Sequence, residues 1–189
     1  MRPVLLSLLL DAACSSLVPS TTARLAQLSP LEAGPAAIAL ALILTPGLAV
    51  PEGGANMVVE AHRKATGETL RGDYTLASAP GDPAPFAAPP GGSATLYHLA
   101  GKDILPLREL QAKVAAWKEA EPEATNGSLN MGLTGCTIGD GPSDDATGSV
   151  FIRTEAGGPF LPLIREASIR ALIGPALFAA IAPCSDRPR

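Results

Sequence analysis

The sequence predicts a mainly β protein: an antiparallel β-sandwich or a strongly curved sheet, with one covering α-helix and a short C-terminal helix. Three observations predict this class. Several short segments alternate apolar and polar residues with the two-residue period of a half-buried strand. Only residues 103–121 show a clear helical period over several turns. The 19 glycines and 19 prolines among 189 residues favour short elements separated by turns.

Apolar alternation predicts strands in the first half of the chain at residues 37–44, 56–63, 69–77 and 93–99. The second and third form a hairpin, joined by the turn Ala65-Thr66-Gly67-Glu68. The polar face of the hairpin, which includes His62, is expected to meet water. Its other face is expected to enter the core with the side chains Met57, Val59, Ala61, Leu70, Tyr74 and Leu76.

The helix predicted at residues 103–121 carries a single apolar stripe. Asp103 is expected to cap its amino end, Pro106 lies in the first turn, and Pro122 ends the element. A stripe of this width is typical of a helix that covers a sheet. The core-facing side chains are expected to be Leu107, Leu110, Val114 and Trp117.

The second half of the chain returns to the period of a strand. The turn pair Asn126-Gly127 introduces a strand at residues 128–136, and a further strand is predicted at 149–155. Residues 167–173 favour a short helix, and residues 176–182 are apolar enough for a last buried strand.

The amino-terminal residues have the three parts of an export signal. Arg2 supplies the positive end, residues 4–10 an apolar run too short to span a bilayer, and Ala12-Ala13 the small residues before Cys14. Residues 10–14 resemble the lipobox of bacterial lipoproteins, with Asp11 where that pattern carries an aliphatic residue. The resemblance implies that Cys14 receives a diacylglyceryl thioether after the leader is cut away. The alternative is a buried amino-terminal helix with a chance cysteine.

This resemblance sets the expected domain organisation. Residues 1–13 are a signal peptide and residues 14–35 a lipid-anchored tether. Residues 36–189 are one globular domain with a proline-rich surface loop at residues 78–92. Ser15 follows the anchor cysteine in place of aspartate, which by resemblance to bacterial sorting rules implies the periplasmic face of the outer membrane.

The two remaining cysteines, Cys136 and Cys184, form an even pair. In an oxidising periplasm two such thiols are expected to bridge. The alternative is two separate buried thiols. A zinc site is disfavoured, because neither cysteine has a second cysteine or a histidine within ligand spacing.

No catalytic or cofactor motif is present in the sequence: no Gly-x-Ser-x-Gly elbow, Walker loop, dinucleotide fingerprint or His-Glu-x-x-His pair. The net charge of −4, with scattered lysines and arginines, argues against nucleic acid as a partner. The expectation is therefore a lipid-anchored envelope protein that acts by binding or structural interaction with an envelope partner, without a cofactor.

The alternative is a small hydrolase or a calcium-dependent ligand-binding domain that uses the acidic loop at residues 140–145. Asp140, Asp144 and Asp145 offer carboxylates on a glycine-containing loop, but without the spacing of an EF-hand. This alternative requires His98, Asp140 and Asp144 to meet in one concave pocket.

Overall fold

The computed structural model describes residues 31–78, 84–121 and 125–184. These residues form a mainly β protein, in which a curled antiparallel sheet of seven strands makes a half-barrel. One long helix and short helices near the carboxyl end complete the fold. The predicted class is confirmed in its curved-sheet form. The predicted signal peptide, Cys14 and most of the predicted tether lie outside the described residues.

The described residues contain nine strands in two sheets. The large sheet has the order β6-β3-β4-β5-β1-β8-β9 with all neighbours antiparallel, and β2 pairs with β7 in a small second sheet. In chain order the strands are β1 (Ala39–Leu44), β2 (Leu48–Ala49), β3 (Ala55–Arg63), β4 (Thr69–Ser78), β5 (Ser93–Leu99), β6 (Thr125–Leu133), β7 (Cys136–Thr137), β8 (Thr147–Arg153) and β9 (Leu161–Ser168).

Three α-helices lie in the described residues. The long helix α1 (Ile104–Ala120) follows a 3-10 turn at Gly101–Asp103, and a second 3-10 turn at Pro35–Ala37 precedes β1. The short helices α2 (Ile169–Ile173) and α3 (Pro175–Ala179) follow β9. None of the helices in the described part of the chain is long and apolar enough to cross a bilayer.

Helix α1 packs its apolar stripe on one face of the large sheet. Leu107, Leu110 and Val114 are buried, as the helical period predicts, and Trp117 is partly buried against the same core. The hairpin prediction is confirmed, and its predicted core-facing residues share one face, since Met57 pairs with Tyr74 and Ala61 with Leu70. The strand side chains that are buried on this face include Leu40, Leu42, Met57, Val59, Ala61, Tyr74, Leu76, Tyr97 and Leu99.

The opposite face of the sheet has a smaller core beneath the proline-rich loop. Phe86 of that loop stacks on Phe151 of β8, with ring centroids 4.0 Å apart, and meets Phe160 edge-on. The small side chains Ala39 and Ala41 of β1 are buried in the same cluster. The described part of the loop, residues 84–92, is therefore packed against the sheet by its one aromatic side chain.

Asp103 precedes α1 but does not cap it, which corrects the sequence prediction. Its side chain makes no capping hydrogen bond to the helix. It accepts a hydrogen bond from the backbone N–H of Thr75 on β4, at 2.7 Å. Asp103 has helical backbone angles because the 3-10 turn already starts at Gly101, so its carboxylate is directed to the sheet. The residue therefore fixes the amino end of α1 to β4.

Asp103→Ala should lower the free energy of unfolding by about 1–2 kcal/mol, because it leaves a partly buried backbone N–H without its acceptor. Asp103→Asn retains an acceptor oxygen and should lose less. Chemical denaturation of the two variants measures both losses. Hydrogen exchange at the Thr75 amide should speed up in Asp103→Ala; unchanged exchange there would contradict the contact.

Strand β6 begins at Thr125, three residues before the predicted start. Asn126-Gly127 is therefore part of the strand, paired with His62 and Ala61 of β3, and is not the predicted turn. Pairing along the whole of β3 overrides the local turn preference of this dipeptide. Gly127 also fits beneath Leu31, because a Cβ at this position would lie 2.5 Å from the Leu31 Cδ1 atom.

The predicted buried strand at residues 176–182 is wrong. These residues begin within α3, and Leu177 is 66% exposed. Pro175 at the first helical position follows Gly174, whose φ of 84° lies in the left-handed region, so the chain turns directly from α2 into a second helix. The predicted short helix at 167–173 is present as α2.

Candidate functional site

A groove of about 580 Å³ lies on the sheet face that carries the smaller core. Its floor includes Ile43 of β1 and Phe151 of β8, and one wall is the segment Ala87-Ala88-Pro89 of the proline-rich loop. The other side is polar and contains Ser149, Arg165 and Glu166. The groove therefore combines an apolar floor with a charged rim.

A β-bulge between β8 and β9 places the charged rim. Gly148 pairs with Ala167 and Val150 pairs with Ile164, so Arg165 and Glu166 together face the single residue Ser149. Glu166 has φ 43°, the one positive φ of a non-glycine residue in the described chain. Its backbone N–H donates to the buried Ser149 hydroxyl at 2.9 Å, which holds the bulge in place.

Thr45 and Thr147 close one end of the groove through reciprocal hydrogen bonds. The Thr45 hydroxyl donates to the Thr147 carbonyl at 3.1 Å, and it accepts from the Thr147 backbone N–H at 2.9 Å. These bonds join the ends of β1 and β8. The Thr45 hydroxyl thus has a structural partner for both of its roles, and Arg165 and Glu166 supply the exposed charged groups of the groove.

The charges on the rim are of both signs. Within residues 31–78, 84–121 and 125–184, neither Arg165 nor Glu166 belongs to an ion pair. Both side chains are exposed at the mouth of the groove. A guanidinium offers a fork of donors for a carboxylate or carbonyl, and a carboxylate accepts from an ammonium or amide. The groove lining contains no cysteine, histidine or lysine.

His98 and the acidic loop lie at opposite ends of the sheet. His98 on β5 is opposite Ala39, the first residue of β1. The acidic loop precedes β8, whose Gly148 is opposite Leu44, the last residue of β1. The length of β1 separates the two ends by about 17 Å. His98, Asp140 and Asp144 therefore do not form the shared pocket that the hydrolase alternative requires.

The acidic loop itself does not gather its carboxylates. Asp144 pairs with Arg170 of α2 at 2.7 Å, on the protein surface. In the described part of the chain, no three histidine, cysteine, aspartate or glutamate side chains are grouped so that they could hold a metal ion. Calcium ligation needs six or more oxygen atoms around one point, so this loop gives no support to the calcium alternative.

The predicted disulfide joins Cys136 to Cys184, with the Cα atoms 4.9 Å apart. It links β7 to the chain that follows α3 across 48 residues. Beside it, the Thr137 backbone N–H donates to the Ala182 carbonyl at 3.0 Å. The disulfide therefore fastens the carboxyl-terminal helices to the small sheet.

Two core tyrosines have shifted pKa values. Burial, with the nearby charge of Asp103, raises the pKa of Tyr74 above its ordinary value. Burial also raises the pKa of Tyr97. Both phenols stay neutral at physiological pH and act as core side chains.

Sequence reasoning missed the groove because its two charged residues owe their position to a bulge. The segment Leu161–Ser168 breaks strict alternation at Arg165-Glu166, where two charged residues are consecutive. That break was the available signal, although a pair of charges at the end of a strand is also typical of an ordinary loop. The chain matches no protein-family model, no curated protein and no solved structure.

Proposed function

We propose that this protein is a lipid-anchored envelope protein of the bacterial periplasm, held at the outer membrane, whose folded domain acts by binding and not by catalysis. The ligand is a short peptide segment in the groove beneath the proline-rich loop. The observation that carries the proposal is the strained bulge at Glu166. A non-glycine residue in the left-handed region costs of order 1–3 kcal/mol, and such strain is concentrated at functional sites.

The groove has the chemistry of a peptide site. Its apolar floor of Ile43 and Phe151 suits an aliphatic or aromatic side chain. Arg165 suits a carboxylate or a carbonyl oxygen, and Glu166 suits an amide or an ammonium group. A peptide presents these three features together. A purely anionic ligand would meet the Glu166 carboxylate, and an alkyl chain alone would leave both charges unused.

Two further observations support the location. Disulfides persist in oxidising compartments such as the periplasm and are rare in the cytosol, which favours export of a chain with a Cys136–Cys184 bridge. The lipobox-like residues 10–14 would place the exported chain on a membrane surface. On this reading, the binding domain works on peptide segments of other envelope proteins.

Ala88→Trp should strongly weaken peptide binding, because an indole on the loop wall would occupy the groove. The probe is a set of peptides selected from a displayed random heptapeptide library on the purified full chain. We expect these peptides to carry an apolar residue next to an acidic one, and to bind Ala88→Trp at least tenfold more weakly. Isothermal titration calorimetry measures the dissociation constants.

Ala156→Trp is the matched control, since Ala156 is exposed in the turn between β8 and β9 and does not line the groove. It should bind the selected peptides like the unmodified protein. Arg165→Gln should weaken acidic peptides and leave their amidated, neutral counterparts unchanged. Equal affinity for both tryptophan variants, or a library without enriched sequences, would rule out the groove as the peptide site.

A further inference from the structure

Strand β6 forms one edge of the large sheet, and its outer side has no partner strand within the described residues. Hydrogen bonds at the two ends of the neighbouring strand β3 define which backbone groups of β6 are free. The Thr134 N–H donates to the Gly54 carbonyl, and the Arg63 N–H donates to the Glu68 carbonyl of the hairpin. Odd-numbered residues of β3 therefore bond to β4, and even-numbered residues of β3 bond to even-numbered residues of β6.

The odd-numbered residues of β6 accordingly point their N–H and C=O groups away from the sheet. Five consecutive odd positions present a regular ladder of donors and acceptors over the full nine residues of the strand. These positions are Thr125, Gly127, Leu129, Met131 and Leu133. Such a ladder is a template for another strand.

The two edge strands of the large sheet differ in how well they are protected against pairing with another strand. Edge strand β9 contains Pro162, the charged pair Arg165-Glu166 and the bulge, all of which discourage further pairing. Strand β6 has no proline, no charged residue and no register shift against β3. A long, uncharged and regular edge is an aggregation hazard when it stays open. The contrast indicates that the β6 edge is covered in the functional protein.

The sequence of β6 is complementary to itself in the antiparallel direction. With Leu129 opposite Leu129 of a second copy, all nine residues overlap, and about ten hydrogen bonds form between odd-numbered positions. On the polar face Ser128 meets Asn130. On the core face Gly127 meets Met131, so a small residue is opposite a large one. No like charges meet at any position of this pairing.

We infer that the protein forms a two-fold symmetric dimer through antiparallel pairing of β6 with β6 of a second copy, centred on Leu129. The large sheet then continues from one copy into the other. Because β6 and β9 are opposite edges, both peptide grooves stay open in the dimer. The inference goes beyond the proposed function and does not depend on it.

Sedimentation velocity of the purified full chain over a concentration series tests the dimer. We expect twice the monomer mass at micromolar concentration. The double variant Ser128→Lys/Asn130→Lys places like charges in facing cross-strand positions and should raise the dimer dissociation constant at least tenfold. Both side chains are exposed in the monomer, so the fold should be kept. Ala65→Lys/Ala156→Lys adds the same charge at exposed turn positions as the control.

Cysteine pairing tests the register. Copies with Ser128→Cys mixed with copies with Asn130→Cys should form a crosslinked dimer under mild oxidation, and each variant alone should crosslink less. A monomer at all concentrations would overturn the inference, and would leave an extended segment of another protein as the occupant of the edge. A dimer that both lysine variants retain equally, or crosslinks in Ser128→Cys alone, would overturn the β6 pairing or its register.

Discussion

Cys184→Ala should lower the free energy of unfolding by about 4 kcal/mol, because it opens the 48-residue loop that the disulfide closes. The lost cross-link increases the conformational entropy of the unfolded chain. Cys136 is fully buried, whereas Cys184 is half-buried, so replacing Cys184 keeps the better-packed sulfur in place. The measured loss of stability then reflects the missing cross-link more than a cavity left by the substitution. Denaturant unfolding of the variant and of the unmodified protein gives the difference.

A reducing agent provides the matched control. It should destabilise the unmodified protein by about as much as the substitution does, and should have no effect on Cys184→Ala. Hydrogen exchange should increase most in α2 and α3, since the disulfide and the Thr137–Ala182 hydrogen bond hold the end of the chain. Exchange in the β3–β4 hairpin should change only with global stability. Equal stability with and without the reducing agent would contradict this role of the bridge.

The elements that the sequence predicts correctly are those whose local pattern and tertiary environment agree. In β3 and β4, alternate residues are apolar, and the pleat of a half-buried hairpin requires that pattern, so both strands and their core-facing side chains could be predicted. The stripe through Leu107, Leu110 and Val114 likewise matches the single face that α1 buries. Periodicity was sufficient in these elements because each has one apolar and one polar face.

Elements that depend on distant partners could not be predicted. Asn126-Gly127 has a strong local preference for a turn, but pairing with β3 and the position of Leu31 decide its conformation. Residues 176–182 are apolar, so composition alone predicted burial. The disulfide and the Thr137–Ala182 hydrogen bond join the end of that segment to the small sheet, and within the segment Ile181 packs against the core while Leu177 is exposed. Apolar composition alone therefore does not identify which side chains of this segment are buried.

The groove residues also could not be predicted from local sequence patterns. Arg165 and Glu166 belong to no known sequence motif. They lie together opposite Ser149 because the pairing of β8 with β9 shifts its register at this point, and the sequence of β9 alone does not define that shift. The residues that sequence reasoning considered for chemistry, His98 and the aspartates of the acidic loop, are separated by the length of β1. Residue type shows which side chains could take part in chemistry. The topology of the sheet determines which of those side chains lie close together.

Cys14→Ser should move the protein from the membrane fraction to the soluble periplasmic fraction, because Cys14 is the only cysteine near the amino terminus that could carry a lipid. Each buried methylene of an acyl chain contributes about 0.8 kcal/mol to membrane binding, so removing two or three chains removes stable anchoring. Fractionation followed by immunoblotting measures the shift. The Cys136–Cys184 bridge should still form in the variant, which confirms that export and folding are intact.

Intact-mass analysis of the unmodified protein decides whether the lipid is present at all. We expect a mature chain that begins at Cys14 and carries the mass of a diacylglyceryl group, with or without an amide-linked acyl chain. Asp11→Leu restores an aliphatic residue to the lipobox-like segment and should speed processing in a pulse-chase experiment. A mature chain that starts at another residue, or carries no added mass, would remove the lipid anchor from the proposed function. The peptide-binding and sedimentation experiments would still test the groove and the β6 dimer independently of the lipid anchor.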